Sequence, residues 1–248
     1  MLNRIIQIIA FSALTLLLIS SPVYGQMFSV QSVQQNNLPQ IPVNLVSFGL
    51  QYTDFSYFGP GFNQAPEVIY DFNEPVYRFS YENPLLNIFF SYGRNLGPEN
   101  NVSFTRAGIG IAGSYTLSRV EKVRVFVPLS LNTDYTLVNV NETRNTIEEF
   151  AQNAGYIGLG LGLQFNPFKG SRFELKGIPH IGYNSGSFGS TGGVSWKMDG
   201  FTRFYIDNIV SRFGLSFGYD FQFIRFNNTQ ESLNYDLLSN AFSIGITF

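Results

Sequence analysis

The sequence predicts an all-β chain, a transmembrane antiparallel up-and-down β-barrel of about ten strands, with eight as the alternative count. Three observations predict it. Segments of alternating apolar and small or polar residues recur along the chain. The apolar phase of these segments carries no charge, whereas the opposite phase carries many. The connections between segments alternate between long and short. A β-strand sends successive side chains to opposite faces, so each observation is a statement about a two-faced wall.

The first segment sets Val46, Phe48, Leu50 and Tyr52 against Ser47, Gly49, Gln51 and Thr53. The long stretch Phe55–Asn73 is rich in Gly, Pro and Asn and reads as a loop. The second segment sets Tyr77, Phe79 and Tyr81 against Arg78, Ser80 and Glu82, and Asn83-Pro84 turns the chain. The third sets Leu86, Ile88, Phe90 and Tyr92 against Asn87, Phe89, Ser91 and Gly93. The fourth carries Ile109, Ile111, Tyr115 and Leu117 opposite Arg106, Gly108 and Gly110. The fifth carries Val123, Val125, Val127, Leu129 and Leu131 opposite Arg124, Phe126 and Ser130. A polar stretch, Asn132–Asn153, reads as a second long loop with room for a helical turn over Thr146–Gln152.

The sixth segment is the most regular: Ile157, Leu159, Leu161, Leu163 and Phe165 oppose Tyr156, Gly158, Gly160, Gly162 and Gln164. The seventh has Phe173, Leu175, Ile181 and Tyr183 against Glu174, Lys176, Ile178 and His180, and Asn184–Gly200 follows as a Gly/Ser-rich loop. The eighth is short, with Phe204 and Ile206 opposite Arg203, Tyr205 and Asp207. The ninth runs Phe213 to Phe223 on the apolar phase, with Gly214, Ser216, Gly218, Asp220 and Gln222 on the other. The last carries Phe242, Ile244, Ile246 and Phe248 on one face and Ala241, Ser243, Gly245 and Thr247 on the other. Pro128 and Pro179 sit inside segments, which fits a bulge or a strand end better than a regular ladder.

Parity decides which face is outside. Arg78, Arg106, Arg124, Glu174, Lys176, Arg203, Asp207 and Asp220 all lie opposite the apolar phase. A cationic side chain facing lipid at the midplane costs about 2–4 kcal/mol, so the charged phase is expected in the lumen. This excludes a soluble barrel with an apolar interior. Composition agrees: aromatics are 17% and charged residues 13%, half the usual charge of a soluble domain.

The start of the chain has the layout of a secretory signal peptide over residues 1–25: Arg4, an apolar stretch from Ile5 to Ile19, then small residues up to Gly25. Residues 26–42 read as a Gln/Asn-rich periplasmic lead-in and 43–248 as the barrel. The chain has no Cys, which excludes disulfides, thiolate metal sites and a lipidated cysteine. A net charge of −2 points to no nucleic-acid partner, and no cofactor or metal motif is present. Gly158–Gly162 alternates on a strand and opens no helix, so it is not a phosphate-binding fingerprint.

The closing strand Phe242, Ile244, Ile246, Phe248 resembles the C-terminal strand of Gram-negative outer-membrane β-barrel proteins, the small porin-like barrels among them. That resemblance implies location in the cell outer membrane, contact with its lipid, and insertion by the general barrel-assembly machinery with Phe248's strand as signal. It also implies an aromatic girdle, for which Tyr52, Tyr81, Tyr92, Tyr115, Phe165, Tyr183 and Phe226 are the candidates.

Within the lumen, a turn at Ser211-Arg212 places Arg203 opposite Asp220 and Tyr205 beside Gly218, which predicts an Arg203–Asp220 ion pair. The inward glycines are expected to make room for Phe89, Phe126 and Tyr156. His180 is the single histidine and is expected at the extracellular rim, with Asp54 and Asp134 near it. Rim acids with a histidine resemble the ten-stranded omptin-type proteases, but no motif of theirs is matched. The run His180-Ile-Gly-Tyr-Asn-Ser185 lacks the His-x-Ser spacing of the lipid A deacylases. The expected function is therefore non-enzymatic: a structural surface protein or a narrow passive pore. Partner binding through the long loops, especially Phe55–Asn73 and Asn184–Gly200, is the alternative, and a rim hydrolase the third.

Overall fold

The computed structural model of the chain describes residues 44–59, 68–95, 101–120, 122–141, 147–186, 192–227 and 235–248. The expected signal peptide, the lead-in and the centres of the long connections lie outside these residues. Within them the alternating segments form strands β1 (Leu45–Gly59), β2 (Val68–Glu82), β3 (Leu86–Arg94), β4 (Asn101–Val120), β5 (Val123–Asn141), β6 (Ile147–Leu159), β7 (Leu161–Phe165), β8 (Ser171–Gly186), β9 (Gly193–Val210), β10 (Phe213–Phe226) and β11 (Tyr235–Thr247). β6 and β7 are two parts of one strand, interrupted at Gly160, and both pair with β5 and β8. The barrel therefore has ten antiparallel strands, and β1 closes it against β11. Asn44 and Phe248 exchange both backbone hydrogen bonds at 3.1 Å to finish that seam.

The alternation predicted from sequence is the alternation of the wall. Phe48, Leu50, Ile157, Leu159, Leu161, Phe242, Ile244 and Ile246 are exposed on the outside. Arg106, Asp134, Lys197 and Arg203 are buried inside. A closed antiparallel barrel with an apolar outer belt, an even strand number and short turns at one end is the outer-membrane architecture.

The strands are longer than expected. A tilted strand needs about 9–11 residues to span a bilayer, yet β4 has 20 residues and β5 has 19. Much of what reads as loop in Phe55–Asn73, Asn132–Asn153 and Asn184–Gly200 is strand that continues past the apolar belt. Ile147–Gln152 extends as part of β6, so no helical turn forms there. The polar composition of these stretches reflects an outer face in water, while their inward positions stay apolar. Phe55, Tyr57, Tyr70, Phe72, Phe104, Val138, Phe150, Phe226, Tyr235 and Leu237 converge inside as one buried cluster. Phe226 belongs to it, 4.5 Å from Tyr235 ring to ring, and not to the outer girdle, because even positions of β10 face inward. The other six girdle candidates do face outward.

Candidate functional site in the lumen

Below the aromatic cluster the lumen is polar, and three groups of side chains fill it. Nearest the short turns, Arg172 grips Asp207 with two bonds of 2.7 and 2.9 Å and lies over the Tyr205 ring. Lys176 and Glu174, two apart on β8 and so on one face, pair at 3.3 Å. Arg124 bonds Thr116 and Ser114 and covers the Phe126 ring.

The next group centres on Arg203. Its Nη2 lies 2.9 Å from both Asp220 oxygens, and its Nη1 lies 2.7 Å from Glu82 across the lumen. The register differs from expectation. Phe213 pairs with Val210 at the turn, but an irregularity between Phe213 and Leu215 shifts the ladder, so Arg203 stands opposite Gly218 and Tyr205 opposite Ser216. Arg78 donates to Gln51 at 2.9 Å and stacks on Phe89, 4.3 Å from the ring centre.

The third group lies just beneath the aromatic rings. Asp134 receives both Arg106 and Lys197, the latter at 3.1 Å, and Arg106 also donates to Gln222. Asp199 accepts from Gln222 at 2.7 Å and sits 3.4 Å from Lys197. His180 Nε2 is 2.8 Å from Ser130 Oγ and 3.2 Å from Asn132 Nδ2, and its Nδ1 is 3.7 Å from Asp199. His180 is therefore not a rim residue. It is 2% exposed, because β8 and β9 continue above it. Asp134 joins it inside, whereas Asp54 faces out.

Glycines seat these groups. A Cβ on Gly158 would fall 2.1 Å from the His180 ring, on Gly162 2.3 Å from Phe126, and on Gly108 2.3 Å from Phe89. Tyr156 packs instead over Gly182. The space left between the second and third groups is a cavity of about 80 Å³, enough for a few water molecules.

Ser130, His180 and Asp199 have the residue types of a nucleophilic triad, in a different geometry. At 3.7 Å the His180–Asp199 contact is no hydrogen bond. Asp199 is already held by Lys197 and Gln222. Ser130 lies on β5 opposite Ala112 of β4 and Gly158 of β6. What the arrangement does is neutralise buried charge: each carboxylate in the third group meets a cation or an amide.

Sequence reasoning placed Arg78, Arg106, Arg124, Glu174, Lys176, Arg203, Asp207 and Asp220 on the inner face. It assigned no role to Lys197, Asp199, Gln222 or Arg172. The signal for two of them was present in Ser195-Trp196-Lys197-Met198-Asp199, where outward Trp and Met alternate with inward charge, but the Gly/Ser-rich surroundings mask it.

No family model matches the chain, and no curated protein matches it. Solved structures of similar architecture include the outer membrane protease OmpT of Escherichia coli, at 7% identity over 87% of this chain and 100% of that one, with a TM-score of 0.40. The attachment invasion locus protein Ail of Yersinia pestis is 11% identical over 84% of this chain and 100% of its own, with a TM-score of 0.33. The toluene transporter TodX of Pseudomonas putida is 11% identical over 84% of this chain and 71% of its own, with a TM-score of 0.31. These are likenesses of fold.

Proposed function

We propose that the protein is a non-enzymatic outer-membrane scaffold whose barrel is closed along its axis. One observation carries this reading: the lumen is filled at two successive levels. The ion-pair groups around Arg203 and Asp134 occupy it, and the aromatic cluster around Phe150 and Tyr235 occupies it above them. Between the two polar groups lies the small cavity. The narrow-pore reading needs a continuous aqueous path, and both levels oppose one. The closing strand with Phe242, Ile244, Ile246 and Phe248 acts as the assembly signal, and the long strands lift a protein surface beyond the membrane for contact with an extracellular partner.

The test is single-channel recording in planar bilayers, on protein first shown by heat-modifiability to be folded. Silent bilayers with the natural chain are the expected result, and a Phe150→Ala/Tyr235→Ala variant should stay silent as well, because the ion-pair level remains in place. Regular steps from the natural chain would return the passive pore to first place. Capture of a partner that survives changes in the 60–67 and 187–191 connections would argue against loop-mediated binding.

A further inference from the structure

Among the described residues the strand formed by β6 and β7 has a break at Gly160, and two prolines stand opposite it on the neighbouring strands. Gly160 separates β6 from β7 and donates to Pro128 O on β5 at 3.0 Å. The β5 register, Leu129↔Leu159 and Phe126↔Gly162, places Gly160 opposite Pro128. The β8 register, Gly158↔His180 and Leu161↔Gly177, places Leu159 opposite Pro179. Successive residues of a strand turn their amide groups to opposite neighbours, so Gly160 addresses β5 and Leu159 addresses β8. At both rungs the partner is a proline and returns no N–H. Two consecutive carbonyls, one toward each neighbour, thus lose the donor that a closed ladder supplies. The site lies among Leu159, Leu161 and Leu163 of the outer belt, where no water replaces a missing bond.

On the inside the wall here is backed by side chains and backbone: His180 covers Gly158, Phe126 covers Gly162, and the Gly177 carbonyl approaches Gly160. Inward positions 158, 160 and 162 are all glycine. On the outer face Gly177 and Gly200 stand side by side on β8 and β9, and a Cβ on either would meet nothing closer than 3.5 Å. With its partners Ser130 and Asn132, the His180 ring that covers Gly158 from the inside lines the cavity. Their positions follow from the break: Ser130 is two residues from Pro128, and His180 is next to Pro179.

We propose that the wall opens laterally at Gly160, between β5 and β8, and admits a small membrane-dissolved molecule whose hydroxyl or carbonyl head binds Ser130, Asn132 and His180 in the cavity. The donors suit such a head: a hydroxyl, an amide and an imidazole that already share hydrogen bonds and so exchange them with a ligand at small net cost. Prolines at both rungs hold the closed state less firmly than a full ladder would. This lateral path is separate from axial closure and goes beyond the scaffold reading.

The chain has no Cys, so a single introduced thiol reports its own accessibility. The probe is a long-chain N-alkyl maleimide dissolved in the bilayer of reconstituted vesicles, compared with a charged, membrane-impermeant thiol reagent present on both sides. Ser130→Cys is expected to react with the lipid-dissolved reagent, and Ser91→Cys, buried on β3 away from the break, to react far more slowly. Adding Pro128→Ala and Pro179→Ala is expected to slow Ser130→Cys labelling by about tenfold, as two restored ladder bonds oppose opening. Equal rates with and without the prolines, or no labelling of Ser130→Cys from lipid, would overturn the lateral opening. Rapid labelling by the charged reagent would overturn the closed axis instead, so the two readings fail separately.

Discussion

Arg203 stands opposite Gly218 on the β9–β10 ladder and reaches diagonally to Asp220, with Nη2 2.9 Å from both carboxylate oxygens. The glycine is what permits the reach, since a Cβ there would lie 2.8 Å from Arg203 Nε. The guanidinium thereby joins Asp220 on one wall to Glu82 on another.

Removing Arg203 leaves two carboxylates in a closed lumen. Arg203→Ala is expected to cost about 3–5 kcal/mol in urea unfolding from lipid vesicles. Arg225→Ala, whose pairing with Asp236 at 3.9 Å is exposed, is expected to cost less than about 1 kcal/mol. Similar losses from both variants would show that the lumen is too wet for burial to matter.

Gly158 and His180 are coupled by contact. Gly158→Ala drives a methyl into the imidazole and breaks its bond to Ser130, at an expected cost of about 1–3 kcal/mol. In a His180→Ala background the same change should cost almost nothing, because the ring it strikes is gone. Additive losses in this double-mutant cycle would contradict the contact.

Phe150 holds the aromatic cluster together. Its ring lies 4.8–5.8 Å from those of Phe55, Tyr57, Tyr70 and Tyr235. Phe150→Ala should cost about 3–5 kcal/mol. Because the cluster lies beyond the apolar belt, the loss should appear as faster proteolysis of the extracellular strand ends, with the membrane-embedded band remaining heat-modifiable.

The same cluster makes the barrel sensitive to alkali. Burial pushes the Tyr57 hydroxyl above its ordinary value and Tyr235 well above it. An unfolded tyrosine ionises near pH 10. The folded state then binds protons that the unfolded state has released, so this stabilisation is complete below about pH 10 and is lost as pH rises through the folded values. Absorbance titration at the tyrosinate band should show Tyr235→Phe removing one late-ionising phenol. The urea midpoint of that variant should fall less steeply above pH 10 than that of the natural chain.

The lumen residues divide by how their surroundings read. Arg106 shares a segment with the outward Ile109 and Ile111, and Arg203 with the outward Phe204 and Ile206, so alternation sends both inside. Asp134 lies between Thr133 and Tyr135 in a stretch of mixed polarity, and Lys197 lies between the outward Trp196 and Met198 but in a Gly/Ser-rich run that hides the alternation. A one-sided hydrophobic pattern vanishes once the solvent outside is water. The strands therefore read short at one end, and His180, which such short strands place at a rim, lies beneath a further layer of packed rings.

The sequence by itself determined the architecture and its polarity. A period of two, charge on a single phase and alternating connection lengths leave an inside-out barrel as the arrangement that keeps charge from lipid and bonds every strand. Only the tertiary structure decided who meets whom across the lumen. A bulge beside Phe213 moved Arg203 from Asp220 to Gly218, and curvature brought Glu82 to the same guanidinium. Pairings along a strand follow from covalent spacing, whereas pairings across a closed barrel depend on register and curvature, which the whole wall sets together.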